Sequence, residues 1–141
     1  MKNFEELDCW KKATALRRRL SSLVKDFPKD EKYKLEDQII RASRSVTANI
    51  ADGFGCYHYQ EYAQFCRQSR SSLFELIDHL IVANDEQYIS EADLIDLKKE
   101  IESCLIVLNG FINYLLKAKS TYSDRAEEPK ADYHSRLTNN D

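Results

Sequence analysis

The chain has 141 residues, 43% of them hydrophobic, and a formal net charge of −3. That size suits one domain with one core, and the slightly acidic balance excludes a strongly basic protein built to coat nucleic acid. Three glycines and two prolines are too few turn formers for a fold of many short strands, so helices are expected throughout.

The small net charge conceals an asymmetry. Six basic residues (Lys11, Lys12, Arg17, Arg18, Arg19, Lys25) and no acid stand between Cys9 and Lys25, whereas seven acids and two lysines stand between Asp85 and Glu102. The opening Met1-Lys2-Asn3-Phe4-Glu5-Glu6 has no apolar h-region and no 18 apolar residues run together, so neither a secretory signal nor a membrane span is expected. The expected location is the cytoplasm, where Cys9, Cys56, Cys66 and Cys104 stay reduced; none belongs to a C-x-x-C pair.

Helical spacing puts Cys9, Ala13, Leu16, Leu20, Leu23, Val24 and Phe27 on one face of a first helix over Glu5 to Phe27, which Pro28 ends. Leu35, Ile39, Ala42, Val46, Ile50 and Gly53 define a second helix, stopped at Gly53-Phe54-Gly55. A third runs from about Tyr59 to Asn84-Asp85, with Tyr62, Phe65, Cys66, Ser69, Leu73, Leu76 and Leu80 inward. The fourth opens with Ser90 as N-cap and Glu91 and Asp93 in its first turn; Leu94, Leu97, Ile101, Cys104, Leu105, Leu108, Ile112 and Leu115 form its inner stripe. Four stripes on short connections predict an all-α, antiparallel up-down-up-down four-helix bundle over 1–120, followed by a flexible C-terminal tail at 121–141.

The fourth helix carries a second face, Ser103, Val107, Gly110, Phe111 and Tyr114, well around from the core stripe. It is read as a self-association surface, the alternative being a broad core stripe. Gln38, Arg41, Ser45, Asn49 and Asp52 make a polar line on the second helix, and Gln68, Ser72, Glu75 and His79 a matching line on the third. Facing each other they would form a buried seam, with Arg41 paired to Glu75, that fixes helix register rather than doing catalysis.

No cofactor, metal or catalytic residue is expected. Glu75 and His79 are four apart rather than in a Glu-x-x-His motif, no second copy exists, and His58 and His134 stand in a loop and the tail. No serine has a nucleophile elbow, and there is no phosphate-binding glycine loop. One surface has functional pull: Lys11, Arg18 and Lys25 recur every seven residues on the outer face of the first helix, with Lys12 and Arg19 beside them, a stripe suited to a phosphate backbone or simply to solvent. Arg44, Arg67 and Arg70 are candidates to extend it.

The run Leu35-x-x-Gln38-Ile39-x-Arg41-Ala42-x-x-Ser45-x-x-x-Asn49-Ile50-Ala51-Asp52-Gly53 resembles the signature of the bacterial four helix bundle proteins, also called ribosomal RNA intervening-sequence proteins. Phe4-x-x-Leu7-x-x-Trp10, Phe27-Pro28-x-x-Glu31, Glu61-Tyr62-x-x-Phe65 and Ser71-Ser72-Leu73-x-Glu75-Leu76 extend the resemblance over residues 4 to 118, with Asp52 and Ser71 in place of the usual Glu and frequent Gly. The resemblance implies an antiparallel bundle assembling as a homopentamer, without enzymatic activity. It also implies partners among RNA or a nucleic-acid enzyme: a similar branch, the accessory variability determinant, binds nucleic acid and a reverse transcriptase.

Overall fold

The computed structural model describes residues 3–123, and the remainder of the expected tail, 124–141, lies outside the described residues. Four helices follow in order: α1 over Asp8–Leu23, α2 over Leu35–Phe54, α3 over Tyr59–Asp85 and α4 over Glu91–Ser123. Short 3-10 turns at Phe4–Glu6, Val24–Asp26 and Lys29–Glu31 complete the described elements, and no strand occurs among them. α4 passes the domain boundary expected at residue 120.

The first helix differs from expectation at both ends. Leu7 takes an extended conformation (φ −68°, ψ 130°) and separates α1 from the preceding turn, in which the Asn3 carboxamide oxygen accepts from the Glu5 amide. Leu7 is thereby driven into the core, 1% exposed. After Leu23 the backbone tightens to 3-10 geometry, so Val24 and Phe27 still face inward before Pro28.

Each helix packs on its neighbours in sequence, and α4 closes back on α1. The direction of each pair is legible from its cross-links. Ser69 donates to the Val46 carbonyl at 2.8 Å and Ser72 to the Ser45 hydroxyl at 2.9 Å, so α2 and α3 run antiparallel. Lys12 donates to Ser103 and Arg19 to Asp96 and Glu100, which makes α1 and α4 antiparallel as well. The result is the expected up-down-up-down four-helix bundle, with thirty buried hydrophobic residues in one core among the described residues.

Local chemistry sets the ends. Ser90 Oγ accepts the Asp93 amide at 3.1 Å, capping α4. α3 ends in a Schellman turn: the Tyr88 amide donates to the Ala83 carbonyl, the Gln87 amide donates to that of Asn84, and Gln87 sits at φ 65°. Glu31 joins two ends of the fold, one carboxylate oxygen accepting the Leu35 amide at the start of α2 and the other the Tyr88 hydroxyl beyond α3.

An aromatic chain threads one end of the bundle. Trp10 and Phe4 lie 5.5 Å apart, Phe4 and Phe54 6.3 Å, Phe54 and Tyr62 6.4 Å, and Tyr62 and Phe111 5.3 Å, all edge-to-face. Its centre requires Gly53, because a Cβ there would stand 2.6 Å from the Tyr62 ring and 3.1 Å from Phe65 Cβ.

Two substitutions test these constraints. Gly53→Ala should destabilise the fold by about 1–3 kcal/mol in urea unfolding, since the buried Tyr62 ring has to move. Gln87→Gly should stabilise it by about 1 kcal/mol by relieving the left-handed backbone.

Candidate interaction surfaces

The polar seam forms in part. Ser45, Asn49 and Ser72 meet: Asn49 Nδ2 donates to the Ser45 carbonyl (2.9 Å) and hydroxyl (3.0 Å), and the buried Ser72 donates to the same hydroxyl. Gln38, Arg41, Asp52, Gln68 and Glu75 stand exposed instead. The expected Arg41–Glu75 pair does not form. Arg41, its side chain 77% exposed, reaches back to Asp37 at 3.7 Å, and Glu75 meets His79 at 3.1 Å one turn on. The Arg41–Asp37 pair between successive turns keeps both charges in water, whereas a pair across the bundle would desolvate them.

The basic stripe of α1 divides in two. Lys12 turns to Ser103, and Arg19 bridges Asp96 (2.7 Å) and Glu100 (3.0 Å) on α4. Partial burial works against the Arg19 cation, but the hydrogen bonds to Asp96 and Glu100 outweigh it and hold its pKa above the ordinary value. Arg17 is also engaged, donating to Thr47 Oγ1 at 2.8 Å. Lys11, Arg18 and Lys25 remain exposed and make no ion pair among the described residues.

Lys25 leads into a groove of about 340 Å³ between the end of α1 and the start of α2, lined in part by Lys32, Tyr33, Glu36, Asp37 and Arg44. Tyr33 is 84% exposed, with the Lys32 ammonium 5.6 Å from its ring centre. Arg44 lines the same groove as Lys25, together with the acids Glu36 and Asp37. Arg67 and Arg70 stand away from that groove, on α3 diagonally opposite α1, and Arg70 donates to Asn109 of α4 at 3.0 Å.

On α4, Phe111 belongs to the monomer core, 8% exposed against Tyr62, because the helix turns more of its circumference inward at this level than the stripe alone requires. Ser103 is half-buried and takes the Lys12 hydrogen bond. Val107, Gly110, Phe111 and Tyr114 line a pocket of about 210 Å³ with Leu7, Asp8 and Cys9 of the chain's opening segment. A Cβ on Gly110 would meet nothing within 4 Å.

Among the described residues, no three His, Cys, Asp or Glu side chains gather to hold a metal ion. His58, Glu61 and Arg67 do line an open groove, with Gln60 and Gln64. All four cysteines are free thiols. Burial pushes the Cys66 thiol far up, and raises Cys104 to about 11, with the Glu100 charge adding to the effect. The Glu91–Ala118 stretch of α4 is long and apolar enough to cross a membrane by length and composition alone, and it is partly buried in the fold.

Thiol chemistry should follow burial. In native protein at pH 8, Cys66 and Cys104 should be labelled by iodoacetamide only after unfolding, as read by mass spectrometry of the peptides. Cys104 ionises near 9.0 when unfolded and near 11 when folded. The unfolded chain therefore loses its proton first, and stability should fall as pH rises through that window, measured by urea midpoints.

No curated protein matches the chain. The family model described as 23S rRNA-intervening sequence protein matches residues 5–110, from the opening segment through α1, α2, α3 and the first two thirds of α4. A match over that much of the sequence, on a four-helix bundle with these packed stripes, identifies the chain as a member of the 23S rRNA-intervening sequence protein family.

Proposed function

We propose that the chain is a non-enzymatic, self-associating helical scaffold of the cytoplasm, a homopentamer on the pattern its family resemblance implies, which holds RNA on the outer face of α1. The observation that carries the RNA half is the division of the basic stripe. Lys12 and Arg19 lean toward α4, Arg19 into an ion pair, yet Lys11, Arg18 and Lys25 stay exposed at heptad spacing and lead to the groove that Lys32 and Arg44 line beside Glu36 and Asp37. Two cations on the outer face of α1, continued by Lys25 in the 3-10 turn that follows it, give a positive edge that attracts a phosphate backbone. The exposed Tyr33 ring adds a face on which an unpaired base can stack.

One patch of this size binds weakly, and repetition around a ring multiplies it. The surface left on α4 by its apolar composition supports self-association, and the four free thiols support a reducing compartment. A protein partner docked on the acidic start of α4 has less to work with, because Asp96 and Glu100 are already paired to Arg19.

A titration of the purified protein against a fluorescently labelled structured RNA tests the reading. Affinity should fall steeply as salt rises, and the double variant Arg18→Glu, Lys25→Glu should bind about tenfold or more weakly with a shallower salt slope. Absence of binding even at low salt rejects the RNA half. Recovery of one protein partner after nuclease treatment would replace it with a protein-only interaction module.

A further inference from the structure

Two features of the surface sit on adjacent faces of the same bundle, one a hollow and the other a projection. The first is the pocket of about 210 Å³ between the opening segment and α4. Its mouth stays open because residue 110 has no side chain, and nothing lies within 4 Å of where a Cβ would be. Its floor is Leu7, Cys9, Val107 and Phe111, and Asp8 stands exposed at its rim. An enclosed apolar cavity of about 150 Å³ takes up benzene, so by size alone this open pocket has room for one phenyl ring.

The second feature is a projecting apolar group on the face that α3 shares with α4. Phe74 is 57% exposed and Ile106 73% exposed, the largest apolar groups left outside on the middle turns of these helices. Arg70, one turn before Phe74, is tied to Asn109 of α4, which locates Phe74 along the α3–α4 groove. Arg67, two turns before, adds a second cation to the same row.

We infer that Phe74 of one copy docks into the Gly110 pocket of the next, with Arg67 and Arg70 brought toward Asp8 of that neighbour. This rests on the self-association proposed above and states how it is made. The contact is heterologous, since the projecting group and the pocket lie on different faces, so it propagates around a ring instead of pairing two copies face to face. Helices at the corners of a roughly square section give the α3–α4 and α1–α4 faces outward directions about 90° apart. Identical units joined through two faces about 90–110° apart close as a ring of four or five, with the shared corner, α4, turned toward the axis. The otherwise unexplained apolarity of α4 then has an occupant: its outer surface sits between two interfaces.

The experiment is sedimentation velocity on the full chain and three variants, each checked for native helical circular dichroism. Phe74→Asp removes the projecting group, Gly110→Trp fills the pocket, and Phe74→Leu keeps an apolar group of reduced size. Wild type and Phe74→Leu should be oligomeric; Phe74→Asp and Gly110→Trp should each fall to monomer. Mixed in equal amounts the two monomeric variants should form a one-to-one dimer and nothing larger, because between them they retain one intact projecting group and one intact pocket that fit.

A monomeric wild type removes self-association itself. An oligomeric wild type whose mass survives Phe74→Asp or Gly110→Trp leaves self-association standing and overturns this docking mode. So does a variant mixture that stays monomeric or rebuilds the full ring. Flotation of the wild type with phosphatidylcholine vesicles, abolished by Phe74→Asp, assigns the face to lipid and overturns it too.

Discussion

Tyr62 occupies the junction of three helices only because residue 53 has no side chain. The ring fills the space a Cβ would take on α2, and from there its edges reach Phe54 and Phe111. This close approach sets the distance between α2 and α3 at one end of the bundle. The small hydroxyls that follow along the same interface, Ser69 on the Val46 carbonyl and Ser72 on Ser45, keep it tight. The α2–α3 pair is thus the most closely packed of the neighbouring helix pairs. Aromatic pairs of this geometry each contribute about 0.5–1.5 kcal/mol beyond simple burial, so the chain of rings is a substantial share of a marginal total.

The second half of the bundle is fastened differently. α1 and α4 meet through long charged side chains at the rim, Lys12 to Ser103 and Arg19 to Asp96 and Glu100, over a smaller apolar contact. Such partly exposed pairs contribute little to stability but fix which charges remain for a partner. The same sequence segment therefore does two jobs. Its inward-leaning cations orient one helix on another, and its outward-leaning cations at seven-residue intervals leave a positive edge facing solvent.

The helices were legible because apolar residues recur at three and four positions over long runs, as with Leu35 to Gly53 and Leu94 to Leu115. Ser90 was legible as a cap for the same local reason. What stayed hidden depends on neighbours that periodicity does not name. The break at Leu7 is set by docking of Phe4 and Leu7 into the aromatic end, and the second role of Glu31 needs Tyr88, far along the chain. The pairing of Arg19 had a visible signal, the basic run of α1 against the acidic opening of α4, and antiparallel packing of those two helices was enough to match them. The seam was over-read: a polar line on a helix marks a boundary, and of its members only Ser45, Asn49, Ser72 and His79 turn inward.

Trp10 is the sole tryptophan of the chain, held half-buried and edge-on to Phe4 at the outer end of the aromatic series. The excited indole therefore samples the one stretch that precedes the first full helix, at a point where the backbone has just left a break. Its emission colour records whether that leading strap is seated, independently of the amide signal from the long helices behind it. The molecule carries a built-in optical gauge for the attachment of its own beginning.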